Sequence, residues 1–193
     1  MKFLKFLTET EMSRHGITNL LITECDPFLK EIKKHGNFLF RGSSNTIDDI
    51  KKVIPRIERK PSDTPKKIHD MANRFFIRKF GWDGRNGVFA TGSSTEARLY
   101  GNYTPYLFFP INKYKFIWSP EVNDFWKDLV DTTEYYHGEN QSKRDNIEIK
   151  LTTYIDTDLS KAILSNKEIM FKCEAYYLIN QYYYNDIQEE LFK

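Results

Sequence analysis

Cysteine is scarce in this chain: Cys25 and Cys173 are the only two in 193 residues. They form no CxxC pair, and four scattered histidines add no spacing suited to structural zinc. A disulfide scaffold is excluded, and a reducing compartment fits best. No apolar run approaches the ~18 residues of a membrane-spanning helix, and the start carries no secretory signal with a small-residue cleavage site. A membrane partner is therefore not expected, and neither is a metal. Repeats are lacking, and no GxGxxG or GxxxxGKS/T follows a strand, which argues against a solenoid, a dinucleotide-binding Rossmann unit and a P-loop.

What the chain does have is aromatic weight. Fifteen Phe and twelve Tyr lie within a composition that is 40% hydrophobic, enough for a folded core despite 29% charged residues. The net charge of +2 hides two opposed blocks. Lys51 to Arg85 holds eleven Lys/Arg against four Asp/Glu, and Ser119 to Glu148 holds three against eight. The basic block reads either as a surface for phosphates, of a nucleotide or a nucleic acid, or as a solvated helix face.

Strand and helix signals are interspersed, and the fold class they predict is α+β with a mostly antiparallel sheet. Residues 1–16 read as a leader or flexible segment before a single domain over 17–193. Asp26-Pro27 opens a helix closed by basic residues and Gly36. Extended runs are expected at NFLFRG, VFATG, PYLFFP, YKFIWS, IEIKLTTYI, EIMFK and AYYLINQYYY. Helices are expected where Ile47, Ile50, Val53 and Ile54 recur before Pro55, and over Pro65 to Phe80 behind a Thr64 cap. Three more are expected after Ser93 with Glu96 in a capping-box spacing, after Ser119, and around DLSKAIL.

Three short motifs stand in an informative order. FLFRGSS ends an extended run in Arg41 and Gly42; GVFATGSSTEARLYG brings Thr91, Ser93 and Ser94 before a helix with Tyr100; SNKEIMF sets Glu168 at the start of a late strand. This order resembles the Arg, Ser, Glu signature of mono-ADP-ribosyltransferases of the cholera-toxin-like branch, over roughly Phe38 to Ile179. The resemblance implies a split, mostly antiparallel sheet that clasps NAD as substrate. It implies that Arg41 holds the NAD phosphates, that the Gly42 backbone binds the nicotinamide carboxamide, and that Tyr100 joins the cofactor contacts. It further implies that Thr91, with Ser93, orients Glu168, which bonds the ribose hydroxyl and stabilises positive charge as nicotinamide leaves. Guanidinium matches phosphate as a two-donor fork, and a fixed carboxylate suits an oxocarbenium-like transition state.

Two positions depart from that signature. Thr91-Gly92-Ser93 stands where the family has Ser-Thr-Ser, and Asn166 stands where it has Glu or Gln, which turns the expected acceptor away from arginine. Taken singly, an Arg after a strand is commonly a surface ion-pair residue and Ser93 a helix cap. Glu148 and Glu174 are rivals to Glu168. Arg59, Asp63, His69, Asn73 and Arg85 are candidate substrate or NAD contacts, with His69 and Asn73 on one helix face, or else satisfied polar positions at a helix boundary.

The first residues, MKFLKFLTE, resemble the capsid-targeting leader of internal head proteins of tailed phages through Met1, Lys2, Phe6, Leu7, Thr8 and Glu9. That resemblance implies an enzyme packaged in the virion and then acting on a host macromolecule, protein or nucleic acid, in the host cytoplasm. The rival expectation is a noncatalytic internal protein that binds nucleic acid or a host protein through residues 51–85.

Overall fold

The computed structural model describes residues 14–56, 64–99, 104–130 and 141–192. The leader motif at 1–9, the rest of 1–13, and Arg59, Asp63 and Tyr100 lie outside the described residues.

Seven strands form two antiparallel sheets. The first contains β1 (Leu39–Ser43), β4 (Thr104–Pro110), β7 (Tyr176–Asn180) and β2 (Ile50–Val53) in that order. The second contains β3 (Val88–Ala90), β6 (Ile169–Cys173) and β5 (Tyr114–Trp118) in that order. One bridge joins them: the Phe40 N–H donates to the Thr91 carbonyl at 2.7 Å and the Thr91 N–H to the Phe40 carbonyl at 3.0 Å. Together these elements make an α+β protein, and its sheet is split between β1 and β3.

The aromatic runs become strands because both faces of the sheets are covered. In β4, Tyr106, Leu107, Phe108 and Phe109 are all buried, as expected of a central strand packed on two sides. One core lies where the four-stranded sheet meets helices α1 (Arg14–Glu24), α2 (Asp26–Ile32), α6 (Leu159–Ser165) and α7 (Tyr184–Leu191). Phe28 is one of its centres, edge-on to Phe109, Tyr114 and Phe171 at 5.9 to 6.5 Å. A second core joins Met170 and Ile117 of the smaller sheet to α3 (Lys66–Phe80) and α5 (Gln141–Thr152) through Phe76, Phe125 and Leu151. No described helix is long and apolar enough to cross a membrane.

Several sequence expectations need correction. The run Ile47–Ile54, read as a helix, holds strand β2 at Ile50–Val53 instead, because this backbone completes an edge of the larger sheet by pairing with β7. IEIKLTTYI, read as a strand, lies largely in α5: Ile147 and Leu151 are four residues apart and bury together, while Glu148 faces solvent. The extended reading of AYYLINQYYY holds only for β7, after which Gln181–Tyr183 turns into α7. Residues 14–16, assigned to the leader, open α1, whose Ile17 and Leu21 are fully buried. The helix α3 begins behind Pro65, with no side-chain cap from Thr64, and ends at Gly81 with φ 76°. Between Ser119 and Val130 the described residues form a wide helical turn, Trp126–Val130, rather than a regular helix.

Candidate functional site

The split between the sheets leaves a cleft of about 590 Å³, a size typical of small-molecule sites. Arg41 and Gly42 of β1 line it, along with Lys51 of β2, Arg56, and Asn86 and Gly87 of the turn before β3. Its described lining has three cations and no carboxylate. The loop after β1 that forms one wall is pinned in place. The Tyr106 hydroxyl accepts from the Ile47 N–H at 3.1 Å, and Asn180 Nδ2 donates to the carbonyls of Ile47 and Asp48 at 3.1 and 3.0 Å.

Arg41 is held rather than splayed. Its Nη1 donates to the Phe89 carbonyl at 2.7 Å, and its guanidinium lies 5.8 Å from the centre of the Tyr176 ring, which also lines the cleft. A planar guanidinium with five donors can make this bond and still present others to an anion.

Against the ring of Phe89 lies one member of a buried ion pair. Arg85 Nη1 donates to Glu168 Oε1 at 2.9 Å, with both side chains at most 10% exposed. The Arg85 guanidinium is packed between the rings of Phe89 and Phe125, 4.7 and 4.0 Å from their centres. Its turn is anchored to α3: Asn73 Oδ1 accepts from the Arg85 N–H at 2.8 Å. Asn73 Nδ2 meets His69 Nε2 at 3.1 Å, and His69 Nε2 meets Asn86 Oδ1 at 3.0 Å. Asn86 thus belongs both to the cleft wall and to the network behind the ion pair.

Glu168 stands immediately before β6, as read from the sequence, and its N–H is fixed by the Asn123 carbonyl at 2.9 Å. Arg41 and Glu168 are thus linked through Phe89 of β3 only indirectly: its carbonyl accepts from Arg41, and its ring packs on Arg85, the partner of Glu168. They do not share one surface, however, since Thr91 and Glu168 are both buried and neither is part of the described cleft lining.

The hydroxyl of Thr91 does not meet the expected partner. It donates to the Asn166 carbonyl at 2.7 Å, so it secures the approach to β6 and leaves the carboxylate to Arg85. Ser93 caps α4 (Ser94–Leu99), accepting from the Glu96 N–H at 3.2 Å. Asn166 closes α6 with φ 59°. The glycine between Thr91 and Ser93 has a steric cause: a Cβ at Gly92 would lie 1.8 Å from the Ile163 carbonyl oxygen at the end of α6. The threonine of the family pattern has no space here. His69, Asn73 and Arg85, candidate ligand contacts in the sequence, turn into the protein, and Glu174 is exposed between β6 and β7.

Sequence reasoning missed Phe89, whose carbonyl accepts from Arg41 and whose ring packs on Arg85, and Asn86, Lys51, Arg56 and Tyr176, which complete the cleft. The basic block pointed to Lys51 and Arg56 only collectively, and an Asn-Gly turn before a strand gave no hint of Asn86. Comparisons with protein families, with curated proteins and with solved structures give no match.

Proposed function

We propose that this protein is a mono-ADP-ribosyltransferase that cleaves NAD and transfers ADP-ribose to a host macromolecule. One observation carries the reading: the described lining of the cleft holds Arg41, Lys51 and Arg56 and no carboxylate; Glu168, at the head of β6, enters through its place in the sequence signature. In this reading Arg41, Lys51 and Arg56 neutralise the diphosphate, which needs cations and tolerates no nearby acid. The bond between ribose C1 and the nicotinamide nitrogen breaks, and its electron pair leaves with nicotinamide. Glu168 opposes the positive charge that develops on the ribose, and an acceptor atom then bonds to C1 and releases its proton. The leader resemblance extends the proposal to a protein carried in a phage capsid and acting in the host cytoplasm.

A noncatalytic binding module is the second reading. It is favoured by the burial of Glu168 and Thr91 and by their bonds to Arg85 and Asn166 within the protein.

Labelled NAD, incubated with the protein and host lysate and followed by separate protein and nucleic-acid digestion, distinguishes the two. Transfer of label, lost in Glu168→Gln while NAD still binds, supports the enzyme. Such a variant keeps size and hydrogen bonding but lacks the charge used in the transition state. An absence of both NAD cleavage and label transfer in the wild type leaves the binding module.

A further inference from the structure

We infer that Arg85 is the positioning residue for Glu168, taking the place that the sequence signature gives to a strand hydroxyl; the inference rests on the transferase reading. The hydroxyl in question, that of Thr91, is committed to the Asn166 carbonyl, whereas Arg85 Nη1 lies 2.9 Å from Glu168 Oε1. A carboxylate this deeply buried is costly unless a counter-charge accompanies it, and Arg85 supplies one.

Arg85 is itself constrained from several directions. Its N–H is bonded to Asn73, and its guanidinium is held between the rings of Phe89 and Phe125. The turn that carries it is pressed onto the core, since a Cβ at Gly84 would fall 2.3 Å from Ile117 Cδ1 and 2.8 Å from Phe76 Cδ2. Arg85 Nε is buried with no hydrogen-bond partner among the described residues. An apolar side chain would fill the same space without that desolvation cost, so packing alone does not account for an arginine here. Holding the Glu168 carboxylate in one direction does. Catalytic groups lose on the order of 100-fold in rate when displaced by about 1 Å.

The test measures NAD cleavage by the full chain, with NAD affinity and melting temperature recorded for each variant. Arg85→Lys keeps the charge but loses the planar fork. The expected result is a fall in kcat on the order of 100-fold with NAD affinity unchanged. If Arg85→Lys does not fold, Phe125→Leu decides: it loosens one face of the guanidinium without removing a charge and should lower kcat at unchanged NAD affinity. Wild-type kcat in the folded Arg85→Lys protein, or a loss confined to NAD affinity, overturns the positioning role while leaving the transferase reading intact. If Arg85→Lys does not fold, wild-type kcat in Phe125→Leu overturns that role. If the wild-type protein cleaves no NAD, the transferase reading falls and the inference with it.

Discussion

At the scale of single residues, the most exacting position is Gly92. Its missing Cβ would meet backbone, the Ile163 carbonyl carbon at 2.9 Å as well as the oxygen, and then Asn166 Oδ1 at 3.0 Å. Backbone at a helix end cannot swing aside like a flexible side chain. Gly92→Ala should therefore destabilise by about 3 kcal/mol, lowering the melting temperature by roughly 10 °C for a chain of this size. Calorimetry checks this, and an unchanged melting temperature would mean that α6 shifts freely. Arg41 gives a prediction about binding. Arg41→Lys keeps the charge but gives up the fork that serves the Phe89 carbonyl and, in the transferase proposal, a phosphate as well. NAD affinity should fall on the order of tenfold, the worth of one hydrogen bond to a charged group. Titration calorimetry reads that change, and full affinity would reduce Arg41 to a general positive charge.

Whole elements are joined by contacts that respond to pH. Glu24, the last residue of α1, accepts from Lys52 Nζ of β2 at 2.9 Å and from the Tyr177 hydroxyl of β7 at 2.9 Å. The Lys52 hydrogen bond is the chief reason its carboxyl sits below the ordinary carboxylate range. The phenol of Tyr177 is pushed up, first by burial and then by Glu24, and burial pushes the neighbouring Cys25 thiol up to about 12. Because the folded protein holds Glu24 at a lower pKa than the unfolded chain does, this clamp contributes stability above about pH 4.3, the unfolded value. The contribution is lost as pH falls through the folded value. Urea unfolding followed from pH 6 to pH 3 should show a smaller acid loss in Glu24→Gln than in the wild type. Equal slopes would mean that the clamp does not discriminate between folded and unfolded states.

The same scale shows what was legible in the sequence. The helix α3 was readable because Ile68, Ala72 and Phe76 recur at four-residue spacing and bury together. The strand β4 was readable from its aromatic run. The edge strand β2 was not, since Ile50 and Val53, three residues apart, fit the helical period and lack strand alternation, and only pairing with β7 makes the segment extended. In α5, the β-branched residues of IEIKLTT favour a strand locally, and packing of Ile147 and Leu151 against the second core overrides that preference. The order along the chain singles out Arg41, Thr91 and Glu168, and of the three only Arg41 is part of the described cleft lining. The Arg85–Glu168 pair was not, because 83 residues separate its members and only the three-dimensional fold brings them together.

For the molecule as a whole, the cationic cleft and the leader are separable. The first described core side chain is Ile17, which with Leu21 packs in the first core beside Phe28. A domain whose core begins there needs nothing from residues 1–9 unless their apolar side chains, Phe3, Leu4, Phe6 and Leu7, dock on it. Chain termini tolerate removal when no buried contacts are lost. The protein starting at Thr10 should consequently melt within about 2 °C of the full chain, no more than the shift that ~1 kcal/mol produces, and, if the transferase proposal holds, cleave NAD as the full chain does. If MKFLKFLTE directs packaging, protein recovered from virions should begin at Thr10, and a chain lacking residues 2–9 should fold yet be absent from capsids. Mass spectrometry of purified virions reads the terminus directly. An intact Met1 there, or a fall in melting temperature of several degrees on truncation, would instead make the first nine residues a packed part of the domain and end the targeting proposal.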